Sequence, residues 1–155
     1  MIAIAKGNPK GIETLEDLTK PGVRLAIGQP DQCTIGVLTR RLLETAGFYE
    51  KLLDENVVTQ TASSAMLVPA VTTGAADVAL VYRTDTLAED DRIDAVSIPS
   101  PAAKAIQPFA VSRQTPYKHI AARLFETILD ARHDFENAGF QWRPDQPEPS
   151  EEAPQ

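Results

Sequence analysis

Hydroxyl-bearing residues fall at three points of this chain where a helix or strand is about to start or stop: Thr34, the pair Ser63-Ser64, and Tyr82. Each is a neutral hydrogen-bond donor. A helix N-terminus adds unpaired backbone N–H groups and the positive end of the macrodipole, enough to attract a tetrahedral oxyanion without lysine or arginine. Thr34-Ile35-Gly36 and Ser63-Ser64-Ala65 each read as such a terminus, and Tyr82 closes the apolar run Val78 to Tyr82. The candidate ligand-binding residues are therefore Thr34, Ile35, Ser63, Ser64 and Tyr82. A plainer use competes with this one, because Ser and Thr dominate helix caps and a strand-end tyrosine is commonly a core residue with a wet hydroxyl. From the residues alone, both uses stand.

Other chemistries find less support. Cys33 precedes a helix, where a thiolate would be stabilised, but His119 and His133 lie far along the chain and nothing assembles a base beside it. No enzyme is expected. A single cysteine also excludes an internal disulfide and a cysteine-rich metal site. Asp77 and Asp85 bracket one apolar strand, and opposite ends of a strand are too far apart to share a metal. Gly7 and Gly11 lack the spacing of a phosphate-cradling loop and belong to a turn. No cofactor or metal is called for.

Composition bounds the partners. The 155 residues are 43% hydrophobic and 24% charged, with a formal net charge of −7. That balance suits one folded unit with a sizeable core and disfavours nucleic acid or an anionic membrane, both of which reward a basic patch. No window approaches the roughly 20 apolar residues of a membrane span, and Met1 to Ala5 is too short for a signal-peptide core. The chain as it stands is thus expected to carry no export signal, and to be cytoplasmic if it is the full product.

The elements that must carry these residues alternate strand and helix. Ile2 to Ala5 reads as a strand ending at Lys6-Gly7-Asn8-Pro9, and Thr14 with Asp17 as a weak capping box on a short helix stopped by Pro21-Gly22. Val23 to Ile27 is a buried strand. Beyond a loop, Ile35, Leu38, Leu42, Leu43 and Ala46 recur at helical spacing up to Gly47. A short helical turn at Phe48 to Leu53, a strand at Val57-Val58 and a helix capped by Ser63 or Ser64 follow; Pro69 should weaken or kink that helix before Gly74 ends it. Strands are then expected at Val78 to Tyr82, Ala95 to Ile98 and Ile106 to Val111, and one helix from His119 to Glu136, stopped at Gly139. Residues 143–155 are acidic and proline-rich, and read as a disordered tail. Such alternation implies an α/β fold, a mostly parallel sheet with helices on both faces, whose ligands sit outside the carboxyl ends of the strands.

The chain resembles the periplasmic molybdate-binding proteins of ABC importers, within the type II periplasmic binding-protein fold. The likeness rests on Lys6-Gly7-Asn8-Pro9-Lys10, Leu15-Glu16-Asp17-Leu18, Lys20-Pro21-Gly22-Val23-Arg24-Leu25-Ala26-Ile27-Gly28, Gly74-Ala75-Ala76-Asp77-Val78-Ala79-Leu80-Val81-Tyr82 with Thr84-Asp85, and the ending Ala138-Gly139-Phe140. It implies a protein that closes on molybdate or tungstate and delivers it to an ABC permease, outside the cytoplasm. In this chain it implies a second lobe with crossing strands over residues 1–112, with backbone donors near Ile35 and Ser64 and the Tyr82 hydroxyl. Residues 113–142 would form a C-terminal helix returning toward a first lobe. Two residues depart from the family: Cys33-Thr34-Ile35-Gly36 stands where Val-Pro-Ala-Gly is usual, placing a bulky Ile35 beside the ligand, and Ser64 stands where an apolar residue is common. The first lobe itself is missing from the pattern, so a fragment, a misplaced start or a split protein is expected, completed by a separately encoded half or by self-association. The alternative is a stand-alone small-anion sensor or interaction module that keeps the fold without transport.

Overall fold

A computed structural model describes residues 1–143. The chain divides into two compact units at Pro108/Phe109, each described by itself. In the first, strands β1 (Ile2–Ala5), β2 (Leu25–Gly28), β3 (Val57–Thr61), β4 (Val78–Leu80) and β5 (Ile93–Val96) form one sheet in the order β3-β2-β4-β1-β5. The α/β class expected from the alternation holds. The sheet is mixed, however: β3, β2 and β4 run parallel, while β1 pairs antiparallel with β4 and β5. The parallel portion is the part built from helix-bearing crossovers, which parallel pairing requires.

Period-two alternation gives the sheet two unlike faces. Ile2, Ile4, Leu25, Ile27, Val78 and Leu80 turn to one side and pack with Leu18, Leu43 and Leu52. Ala3, Ala26 and Ala79 turn to the other, and the registers Ala3↔Ala79 and Ala26↔Ala79 set them in a row across three strands. Over that row of small side chains lie Leu67, Val68 and Val71 of helix α3 (Leu67–Thr72). Both faces are covered over β1, β2 and β4, so these three strands read as unbroken apolar runs.

The helices follow the expected signals with instructive differences. The Thr14–Asp17 box forms: the Asp17 N–H donates to Thr14 Oγ1 at 3.3 Å and Asp17 Oδ2 accepts from the Thr14 N–H at 2.8 Å. It opens a 3-10 turn over Glu16–Thr19. Helix α1 spans Thr34–Thr45 and α2 spans Tyr49–Glu55, separated at Gly47, whose φ of 78° only glycine adopts without strain. Pro69 lies within α3. The segment begins as a 3-10 turn, Ser64–Met66, so Pro69 falls in the first turn of α3, where its missing N–H has no intrahelical partner to lose.

Three expectations are corrected. The strand expected through Tyr82 ends at Leu80, because Tyr82 is the N-cap of a short helix, α4 (Arg83–Leu87). Ile106 to Val111 forms no strand: Pro108 interrupts the run and has no N–H to give a ladder. The single C-terminal helix is two, α5 (Lys118–Asp130) and α6 (Arg132–Asn137), interrupted at Ala131, where ψ reaches 12°. Within this second unit Phe109 stacks on Phe125 at 5.3 Å between ring centroids, and Phe135 meets Phe140 and Trp142 at 5.8 and 5.5 Å. Ile120, Leu124, Phe125 and Leu129 of α5 remain exposed. From residue 144 onward, the expected tail lies outside the described residues.

Candidate functional site

Since β2, β3 and β4 run parallel, their carboxyl ends, Gly28, Thr61 and Leu80, share one rim of the sheet. All five predicted residues follow those ends in the chain: Thr34 and Ile35 after β2, Ser63 and Ser64 after β3, Tyr82 after β4. The loops are tied to one another. The Gln29 N–H donates to the Thr61 carbonyl oxygen at 2.8 Å, and Cys33 Sγ lies 3.5 Å from the Gln29 oxygen and 3.6 Å from that of Thr61. Cys33 and Tyr82 both pack on the alanine-faced core.

Thr34 is not the cap of α1. Cys33 holds the N-cap position with extended geometry and no side-chain cap bond, and its carbonyl oxygen accepts from Gly36 and Val37 at 3.0 and 3.3 Å. The N–H groups of Thr34 and Ile35 find no protein acceptor among the described residues, nor does the exposed Thr34 hydroxyl. Ile35 is 7% exposed and its Cγ2 turns inward against Gly28, so its bulk fills the core while its backbone N–H lies in the first turn of α1.

The serines divide their roles. Ser63 is the N-cap after β3, with Oγ accepting from the Ala65 N–H at 3.4 Å, so the plainer use is real there. The Thr61 hydroxyl donates to the Ser63 carbonyl oxygen at 3.0 Å and steadies the turn. Ser64, half-buried, has neither its N–H nor its hydroxyl spent on a protein acceptor among the described residues. Tyr82 is held through its backbone: Asp85 Oδ2 accepts its N–H at 3.4 Å, and its carbonyl oxygen accepts from the Asp85 N–H at 3.2 Å. That leaves the phenol a donor without a protein acceptor among the described residues. Burial pushes the phenol pKa above its ordinary value, with Asp85 and Cys33 adding to the shift, so the hydroxyl stays protonated. Burial likewise raises the Asp85 carboxyl.

Sequence reasoning passed over Gln29, Cys33 as a cap, and α4. The Tyr82…Asp85 spacing, a polar residue three places after a cap, was the available signal for α4. A separate groove of about 310 Å³ is lined by Met1, Lys6, Arg83, Thr86, Leu87, Asp90, Ile93, Asp94 and Ala95, and contains none of the five predicted residues. Lys6 is already committed within it, to Asp94 at 3.1 Å and the Asp90 carbonyl oxygen at 2.7 Å. Among the described residues no cluster of His, Cys, Asp and Glu could hold a metal ion, and no helix is long and apolar enough to cross a membrane.

Comparison with known proteins agrees with this architecture. The molybdate-binding protein ModA of Mycobacterium tuberculosis is 30% identical over 143 residues, covering 90% of this chain and 52% of ModA. The Mycobacterium bovis protein of the same name matches equally. The chain thus spans about half the length of these relatives. Among solved structures, the sulfate-binding protein SubI of Mycobacterium tuberculosis superposes with a TM-score of 0.74 at 20% identity, over 93% of this chain and 56% of SubI. The periplasmic molybdate-binding protein of Azotobacter vinelandii gives 0.68 at 19% identity, over 92% of this chain and 64% of its own. These two likenesses concern the fold. The relatives are binding proteins and not enzymes. Residues 1–141 match the bacterial extracellular solute-binding proteins, and the chain belongs to that family.

Proposed function

We propose that this chain is the second, ligand-binding lobe of the solute-binding component of an ABC importer, and that its rim takes tetrahedral oxyanions of the molybdate and tungstate type. The observation that carries the reading is the set of uncommitted donors at the carboxyl ends of three parallel strands: the N–H groups of Thr34, Ile35 and Ser64, and the hydroxyls of Thr34, Ser64 and Tyr82. The Ser63 hydroxyl proton, free while Oγ accepts from Ala65, can join them. These donors are neutral, the backbone N–H groups can only donate, and the hydroxyls can turn their protons to the ligand, so the set favours a fully ionised dianion over one that retains a proton. The names of the relatives, molybdate-binding and sulfate-binding, support the same ligand class.

One rim supplies only part of a shell. Water then competes for the anion, and the chain alone should bind weakly. A first lobe, encoded upstream or separately, would complete the donors, and the exposed apolar side of α5 gives such a half a surface to bury. A permease in the cytoplasmic membrane would receive the loaded protein. Isothermal titration with molybdate of the chain, and of the longest product encoded in frame with it, tests the reading. Affinity of about a millimolar is expected for the chain, near −4 kcal/mol, and at least a hundredfold tighter for the longer product. No binding by either rejects it.

A further inference from the structure

Gly28 ends β2 and Gly36 lies in the first turn of α1, and neither has room for a side chain. A Cβ on Gly28 would lie 2.7 Å from the Gly36 nitrogen, 2.7 Å from Ile35 Cγ2 and 2.9 Å from Cys33 Sγ. A Cβ on Gly36 would lie 2.7 Å from the Gly28 carbonyl oxygen and press on the Gln29 carbonyl group as well. Neither glycine has the positive φ that would call for glycine on conformational grounds. Close approach alone explains them.

We propose that Gly28 and Gly36 are positioning residues of the anion rim, an inference that rests on the oxyanion reading above. Together they form a notch into which the start of α1 is lowered. Cys33, Ile35 and Gly36 all converge on the space that a Gly28 side chain would fill, so the notch sets the height of the Thr34 and Ile35 N–H groups above the end of β2. It also brings Cys33 within reach of the Gln29 and Thr61 carbonyl oxygens, keeping the loop after β2 in register with the one after β3. A methyl group at either glycine must raise the helix start. Donors that converge on one tetrahedral ligand tolerate only a few tenths of an ångström of such movement. Neither glycine touches the ligand, and both act through the neighbouring N–H groups.

The test uses the 15N-labelled chain, titrated with sodium molybdate and followed by amide chemical shifts and hydrogen exchange. The variants are Gly36→Ala and Gly28→Ala, with Leu52→Ala, deep in the opposite core, as a control that loses stability away from the rim. The expected result is a loss of molybdate affinity of tenfold or more in Gly36→Ala, with the control within twofold of wild type. Exchange should also quicken at the Gly36 and Gln29 N–H groups in the glycine variant and not in the control. Wild-type affinity in a folded Gly36→Ala chain overturns the proposal while leaving the oxyanion reading intact. If the wild-type amides do not move with molybdate, the longer in-frame product decides the oxyanion reading, which is rejected when that product does not bind either. Exchange then decides the notch by itself: selective quickening upholds it as the seat of α1, and its absence overturns it. If Gly36→Ala does not fold, Gly28→Ala is read in its place; failure of both while Leu52→Ala folds makes the notch a requirement of the fold and overturns its role at the rim.

Discussion

Asp77 receives Arg24 three times: from the backbone N–H at 3.0 Å, from Nε at 3.3 Å and from Nη2 at 2.7 Å. Asp77 returns a bond through its own N–H to the Arg24 carbonyl oxygen at 2.8 Å. The two residues immediately precede β4 and β2, so this pair staples the parallel strands at the end opposite Gly28 and Leu80. Asp77→Asn keeps the shape and removes the charge, and should cost about 1–3 kcal/mol of folding stability with molybdate affinity unchanged. Burial pushes the Asp77 carboxyl up, but the Arg24 side chain and backbone bonds, with the Arg24 and Lys10 charges, together outweigh it and hold the pKa below the usual carboxylate value. A carboxyl lowered on folding contributes stability above its unfolded pKa and loses it as pH falls toward the folded one. Urea midpoints should therefore separate wild type from Asp77→Asn at pH 7 and draw together as the pH falls below the ordinary carboxylate range; an equal gap at both would reject the pairing as the source.

The two serines should separate cleanly. Ser63→Ala removes a cap whose Oγ serves the Ala65 N–H, and should lower stability by about 1 kcal/mol. Ser64→Ala removes a hydroxyl with no protein acceptor among the described residues, and should leave the melting temperature unchanged while weakening molybdate binding several-fold. Paired thermal melts and titrations check this. Loss of stability in Ser64→Ala with full binding would assign Ser64 to the fold instead.

How much of this could be read from residue order depends on which interactions are local. The Thr14–Asp17 box, the Gly47 and Gly74 stops and the apolar runs of β2 and β4 depend on neighbours a few places away, and their signals were legible. The antiparallel insertion of β1 between β4 and β5 was not, because register with distant strands is set by packing on two faces rather than by any local pattern. Tyr82 shows the boundary within one residue. Its apolar run read as strand, yet the Asp85 carboxylate three residues on draws its N–H into a helix cap. The Gly28–Gly36 notch was invisible for the same reason: a close approach across eight residues leaves no trace except two glycines.

Ile35 tests whether the rim uses side-chain volume or only backbone. Because the side chain is buried against Gly28, Ile35→Val should cost about 1 kcal/mol of stability and alter molybdate affinity by less than twofold. A change in preference between molybdate and sulfate in this variant, measured by titration, would return Ile35 to the ligand wall.

Tyr82 supplies the sharpest measurement. Its phenol has no protein acceptor among the described residues, so Tyr82→Phe should melt close to wild type yet bind molybdate about tenfold more weakly, the worth of one hydrogen bond to a charged oxygen. The pH profile gives an independent reading. Burial first, then Asp85 and Cys33, raise the phenol pKa above its ordinary value, and a bound dianion would raise it further. The donor is therefore fully present through the ordinary phenol range and lost only as pH climbs toward the raised folded value, where the phenolate repels the ligand. Wild-type affinity should stay level to about pH 10 and then fall, while Tyr82→Phe should show no such fall. A wild-type decline centred below the ordinary phenol pKa, or equal affinity in the two proteins, would remove Tyr82 from the site.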